Sequence, residues 1–388
     1  MGINIEKLLY DNKSLKRLPE NPGIRKMFLL ILNNILYIKK INSFIEKYHY
    51  LNVRQFINEL FDELNFAYSI SNRDIQNIPS EGRVICVANH PIGSLDALAL
   101  LKTILEIRRD VKVVANELLC SIGKLDDYII PIKLDYAFAQ RYTIEAIRNS
   151  LNAENAVIIF PAASVSRLKG ITITDSKWNK GAVHFAKKLN APILPVFIEA
   201  RNSLLFYIVS IISKKLSMFL LPHELFNKKN KIINIKIGDL IPSKAFTASL
   251  IDESQQIKLL RRHVGMVGKG KKGIYATEKN VIHPGERKII KKELSNAQLL
   301  SVTKDGLKIY FTTRTESPET LNEIARLREI TFRKVGEGTG KKFDLDKYDD
   351  HYNHLIVWDD NELEIVGSYR VGLGSDILKK HGVNGFYT

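Results

Sequence analysis

Two cysteines in 388 residues leave no material for a disulfide framework or a thiolate metal site. Cys86 and Cys120 lie in or beside apolar segments at no redox spacing, and read as small buried hydrophobes of a reducing compartment. Long uncharged hydrophobic runs are missing as well. Met27 to Ile38 is too short to span a bilayer and carries an Asn pair, while Leu204 to Leu221 has Lys214 and Lys215 at its middle. A spanning helix needs about 20 apolar residues without a central charge, so both stretches are expected to be buried or interfacial helices. The opening MGINIE has neither a secretory apolar core nor the hydroxyl residue that N-myristoylation wants at position six. Negative charge is also scarce: 42 acidic against 58 basic side chains give a net charge of +16, an electrostatic preference for anionic partners. Nucleic acid is the weakest of these, because the basic residues are spread without aromatic interleaving or a helical reading motif.

Two motifs fail on context. Gly268, Gly270 and Gly273 spell GxGxxG, but no apolar strand precedes them and lysines fill the spacing, which excludes a dinucleotide loop. His351 and His354 beside Asp349 and Asp350 resemble metal ligands, yet without further Cys or His they read as a polar turn before a strand.

What is present is a chain with 45% apolar residues, enough for two or three packed domains. Residues 1–75 show apolar positions at helical spacing with basic residues between them, a helical cap on the next domain or a membrane-lying segment. From 76 to 250 short apolar runs alternate with helical patterns: VICVA, a helix over Ala97 to Ile107, VKVVA, IIPIKL, a helix over Tyr142 to Leu151, AVIIF, a helix over Gly181 to Leu189, ILPVFIEA, and a strand over Ile232 to Ile237. That alternation predicts an α/β domain with a mostly parallel sheet covered on both faces. Residues 251–299 are expected to be a basic linker, with Val264 to Glu293 solvated. From 300 to 388 the pattern gives a strand in LKIYFTTR, a helix over Pro318 to Lys334, and a hairpin of HLIVW and EIVGSYRV. This second α/β unit is expected to be incomplete.

Active loops of parallel sheets follow the carboxyl ends of strands. VICVA runs straight into Asn89-His90-Pro91, then Gly93, then Asp96 at the start of a helix. A carboxylate beside a histidine can hold its ring in one tautomer and make it a base toward a hydroxyl or amine. AVIIF likewise runs straight into Phe160-Pro161-Ala162-Ala163-Ser164-Val165-Ser166-Arg167.

Taken together, NHPIGSLD, FPAASVSR and APILPVFIEARNS resemble the signatures of the glycerophosphate and lysophospholipid acyltransferase superfamily (PlsC-like). The resemblance implies that His90 is the general base and Asp96 its orienting partner. It also implies that Asn89, Gly93, Phe160, Pro161, Ser164, Ser166, Arg167 and Asn202 line the substrate site. No metal and no cofactor are implied: acyl-carrier protein or CoA delivers the acyl group as a thioester, and the acceptor is a lipid hydroxyl. Five residues separate His90 from Asp96 where the general pattern has four. That longer spacing and the Arg201-Asn202-Ser203 tail are similar to a hemolysin-like bacterial branch linked to amino-acid-containing lipids such as ornithine lipid. The Phe-Pro loop departs from the pattern, with Ala162, Ala163 and Ser164 where a Glu and a Gly usually stand.

The segment from Thr320 to Val371 resembles the opening of an ornithine-lipid type N-acyltransferase domain with the acetyltransferase (GNAT) fold. It breaks off before the acyl-donor pyrophosphate loop, so N-acyl transfer is not expected of these residues. The resemblance implies a peripheral protein of bacterial membrane lipid synthesis at the cytoplasmic face of the inner membrane, drawn to anionic lipid by its basic flanks. The alternative is a non-catalytic membrane-associated or carrier-binding protein that kept the fold.

Overall fold

The computed structural model describes residues 21–35, 37–116, 125–132, 137–162, 164–214, 217, 220–227 and 231–387; the expectation for Cys120 lies outside them. Contacts divide the chain into two units, Met1–Thr277 and Glu278–Thr388.

In the first unit, strands β1 (Ala67–Ser69), β2 (Val84–Ala88), β3 (Val111–Asn116), β4 (Ile129–Ile132) and β5 (Ala156–Ile159) are followed by a hairpin of β6 (Arg167–Lys169) and β7 (Thr172–Thr174). With β8 (Ile193–Glu199) and β9 (Ile232–Ile237), all but the hairpin join in one seven-stranded sheet of order β1-β9-β8-β2-β5-β3-β4. Every pairing is parallel except β8 with β9. The sheet is thus mostly parallel, as the apolar runs predict. β2 sits at its middle, and all five of its residues are buried.

Strand alternation sends Val84, Cys86 and Ala88 to one core and Ile85 and Val87 to another. The first core is closed by helices α3 (Val53–Glu63) and α4 (Ser94–Leu105). The second is closed by α5 (Ala137–Asn152), α6 (Gly181–Lys188) and α8 (Glu253–Gly268). Ahead of α3 stand α1 (Pro22–Ile35) and α2 (Ile38–Tyr48). Phe44, Ile45 and Tyr48 of α2 pack on Phe56 of α3, so this part of the N-terminal region is a packed cap. α7 (Leu204–Ile212) follows β8.

The solvated linker expected over Val264 to Glu293 is shorter than that, because both of its ends are helical and only 269–286 lies outside helices. α8 buries Ile257, Leu260 and Val264 in the first unit, and α9 (Arg287–Asn296) buries Ile290 and Leu294 in the second. Lys269, Lys271, Lys272 and Lys279 lie in the non-helical stretch between them, while Arg287, Lys288, Lys291 and Lys292 lie on α9. Two glycines of the GxGxxG run are packing residues: a Cβ on Gly268 would lie 2.5 Å from the Phe197 ring, and one on Gly273 would lie 2.1 Å from that of His263, while Gly270 turns the chain at φ 65° in open space.

The second unit is an antiparallel sheet of β10 (Gln298–Val302), β11 (Lys308–Thr312), β12 (Asn353–Asp359) and β13 (Glu364–Val371), in that order. Helix α10 (Pro318–Lys334) lays Leu321 and Ile324 against Tyr310, Ile356 and Trp358. The strand in LKIYFTTR, the helix and the hairpin stand where the sequence predicts them; strand β10, helix α9 and a helix over Gly374–His381 were not predicted. The turn before β12 is more than polar. Asp349 is buried between Arg328 Nη1 at 3.1 Å and Arg370 Nη2 at 2.7 Å, with His354 Nε2 at 3.8 Å. His351 Nε2 instead meets the Gly385 carbonyl at 2.9 Å.

Candidate active site

The site grows from the end of β2. Asn89 Oδ1 accepts the Ile198 N–H at 2.7 Å and its Nδ2 donates to the Ile198 carbonyl at 2.9 Å, an imitation of strand pairing that clamps the chain to β8. Asn89 therefore braces the loop, and its amide is engaged with the backbone. Past this clamp the chain leaves the sheet and delivers His90. Pro91 offers only a carbonyl, which accepts from Asn202 Nδ2 at 3.1 Å. Asn202 is buried, with its Oδ1 left without a donor among the described residues.

Gly93 turns the chain into α4 with φ 95° and ψ −128°, a conformation that a side chain opposes. A Cβ there would also press on Val165 Cγ1 at 3.4 Å. The turn sets Asp96 in the first turn of α4, fully buried. Its Oδ2 accepts the N–H groups of Ile92 at 2.8 Å and Gly93 at 3.0 Å, and stands 3.2 Å from His90 Nδ1. The approach to His90 is bent away from an ideal hydrogen-bond line, and Oδ1 has no donor among the described residues. Such bonds commonly straighten when substrate binds. Burial pushes the Asp96 pKa above the usual carboxylate range, against the opposing pull of His90 and the two amides. The imidazole side chain is 18% exposed, and its Nε2 makes no hydrogen bond among the described residues. Ile92 and Gly93 give their N–H groups to Asp96, so these two amides are engaged within the loop.

The second loop leaves β5 and meets the first. Phe160, Pro161 and Ala162 are buried, and the Phe160 ring centroid lies 4.5 Å from that of His90. The Ser166 N–H donates to the His90 carbonyl at 2.8 Å. Its hydroxyl donates to Asp175 Oδ1, and the same carboxylate accepts Trp178 Nε1 at 2.9 Å and faces the His90 N–H at 3.4 Å. Ser166 is thus a buried brace, and Asp175 is a functional-site residue that the sequence reading missed. A carboxylate does enter this loop, from the end of β7. Ser164 is partly exposed, with its hydroxyl 3.2 Å from that of Ser176.

Arg167 opens β6. Its guanidinium lies 5.7 Å over the Phe206 ring of α7 and donates to Ser217 Oγ. No carboxylate pairs with it among the described residues, and partial burial lowers its pKa. Nearby, Glu224 accepts the Ser203 N–H at 2.7 Å and its hydroxyl, tying the start of α7 to a later part of the chain. Sequence reasoning also missed Glu224. Among the described residues no three His, Cys, Asp or Glu side chains come together as a metal site. No described helix is long and apolar enough to cross a membrane.

The sheet topology defines an α/β fold with a histidine–carboxylate pair at the carboxyl end of its central strand. The chain belongs to an acyltransferase family whose sequence profile matches residues 14–272. An acetyltransferase (GNAT) domain profile matches residues 327–388. The chain is 26% identical over 253 residues to a lyso-glycine lipid O-acyltransferase of Phocaeicola vulgatus, covering 63% of this chain and 88% of that protein. It is 43% identical over 107 residues to a glycine N(alpha)-acyltransferase of the same organism, covering 26% of this chain. The chain spans about a third of the length of that N-acyltransferase relative. The crystal structure of the 1-acyl-sn-glycerophosphate acyltransferase PlsC from Thermotoga maritima aligns at a TM-score of 0.36 and 18% identity, over 63% of this chain and 98% of that one.

Proposed function

We propose that this protein transfers a fatty acyl group from a thioester to the hydroxyl of a lysolipid, with His90 as the base. The observation that carries the reading is the His90 Nδ1 to Asp96 Oδ2 contact of 3.2 Å, which places the carboxylate at Nδ1 and leaves Nε2 without a hydrogen bond among the described residues. Asp96 holds the proton of the neutral imidazole on Nδ1, leaving the Nε2 lone pair for the acceptor hydroxyl. The hydroxyl oxygen attacks the thioester carbonyl carbon as its proton passes to Nε2. Collapse of the tetrahedral adduct breaks the carbon–sulfur bond, and the proton returns from Nε2 to the departing thiolate, giving ester and thiol.

The acceptor we favour is a lysolipid with an amino-acid headgroup, of the lyso-glycine or lyso-ornithine type. In support, one relative is named for lyso-glycine lipid and another for glycine, and an N-acylated amino acid keeps an anionic carboxylate that Arg167 suits. The donor is acyl-carrier protein or CoA. The protein works peripherally at the cytoplasmic face of the inner membrane, where its net charge of +16 favours anionic lipid. The test is turnover of lyso-glycine lipid and lysophospholipid with each thioester. His90→Gln is expected to lose about 10²–10⁴-fold in kcat. Undiminished turnover in that variant would remove His90 as the base, and absence of turnover by the parent protein would support the non-catalytic alternative.

A further inference from the structure

Helix α7 is amphipathic in an unusual sense. Phe206, Tyr207 and Ser210 face the protein, while Leu204, Leu205, Ile208, Ile211 and Ile212 are 49–76% exposed. Positions 204, 208, 211 and 212 recur at helical spacing and form one aliphatic stripe. Beside it the β6–β7 hairpin turns at Gly170 and presents Ile171, 99% exposed. Helix and hairpin rest on a shared core in which Val165, Phe206 and Tyr207 pack with Leu168, Ile173 and Leu221. They are therefore one surface and not two independent protrusions.

We infer that this surface is where the protein seats itself on an anionic bilayer, α7 lying in the headgroup region and Ile171 inserted beside it. The inference rests on the acyl-transfer reading for its lipid acceptor. Charge fits the occupant: Lys169, Arg201 and Lys214 are exposed around the apolar stripe, and no acidic residue occurs from Arg167 to Thr174 or from Arg201 to Leu221. Apolar side chains ringed by cations are what an interfacial helix presents to acidic lipid. A protruding turn with a fully exposed isoleucine suits insertion into a soft acyl region better than docking on a folded protein.

Both elements also spring from residues that hold the base. β6 begins one residue after Ser166, whose N–H is bonded to the His90 carbonyl. α7 begins two residues after Asn202, whose amide is bonded to Pro91. Seating the surface on a bilayer thereby ties the membrane contact, through Ser166 and Asn202, to the loop that carries His90.

The test uses the full chain and vesicles of phosphatidylcholine with or without phosphatidylglycerol. The parent protein is expected to sediment with the anionic vesicles, and an Ile171→Ser, Ile208→Glu, Ile211→Glu variant to lose binding about tenfold or more. All three side chains are exposed, so turnover on a dispersed, monomeric short-chain lysolipid is expected to stay at the parent's level. A separate Ile208→Trp variant is expected to shift its emission to the blue on adding anionic vesicles. Parental vesicle binding by the triple variant overturns the inference. So does retained vesicle binding with loss of acyl-carrier protein binding, which assigns the surface to a protein. Failure of the acyl-transfer reading is seen separately, as absence of His90-dependent turnover on the dispersed substrate.

Discussion

Ser166 donates its backbone N–H to the carbonyl of His90 at 2.8 Å, so the loop after β5 and the loop that bears the base are one hydrogen-bonded unit. Asp175 secures that unit from behind, through the Ser166 hydroxyl, Trp178 Nε1 and the His90 N–H. Asp175→Ala leaves two buried donors without an acceptor, at a cost of about 2–3 kcal/mol. We expect a lower urea midpoint and a fall in kcat larger than any rise in KM, because the base is displaced while the headgroup contact at Arg167 remains. An unchanged kcat would remove Asp175 from the machinery.

Asp96 sets function against stability. Burial raises its pKa above the unfolded value, so the folded state holds the proton more tightly than the unfolded one. The associated stability is complete below the ordinary carboxylate pKa and is lost as pH rises through the raised one. At neutral pH the buried charge is therefore a cost. Asp96→Asn keeps an oxygen on the Ile92 and Gly93 amides, and that same oxygen faces His90 Nδ1, but it is neutral and stabilises the imidazolium far less than a carboxylate does. Urea melts at pH 5 and pH 8 are expected to show equal or greater stability than the parent, with a flatter pH dependence. Turnover is expected to drop by about 10²–10⁴-fold.

Gly93→Ala probes the turn that sets Asp96. With φ at 95° and Val165 in the way, alanine is expected to cost about 1–3 kcal/mol and to tilt the first turn of α4. Thermal melting and kcat should fall together. A variant that melts early yet turns over normally would show that Asp96 tolerates the shift.

Arg167→Met keeps the packing on Phe206 and removes the charge. Loss of a charge-assisted contact worth about 1.5–3 kcal/mol predicts a rise of roughly ten- to hundredfold in KM for an anionic lysolipid. Against an acceptor esterified at its carboxylate the variant and parent should converge. Equal effects on both acceptors would deny Arg167 a headgroup role.

The central strands were readable because a strand buried on both faces must be apolar throughout, as Val84–Ala88 is. Those runs alone place His90 and Phe160 at strand ends. Strands β1, β6 and β7, three residues each with polar or exposed members, carry no such run and were invisible. The spacing of His90 and Asp96 identified the pair, since both lie on one strand–turn–helix unit. Asp175 acts only through contacts that the fold creates, nine residues from Ser166 around a hairpin, and no local pattern marks it. The linker is shorter than predicted for a different reason: its many cations masked the Ile257, Leu260 and Val264 spacing of a half-buried helix.

The pairing of β1 with β9 joins Ala67 to Ile232, the first strand of the first unit to its last. On the ribosome, the edge strand beside the cap has no partner until that final strand has emerged. The sheet therefore completes late, by a closure of long sequence range that makes folding slow. A nascent chain halted before Ile232 would leave the edge of β8 unpaired as well, exposing a ladder to neighbouring chains. Synthesis speed through this stretch and chaperone supply then set the yield of folded protein more than the strength of its finished core.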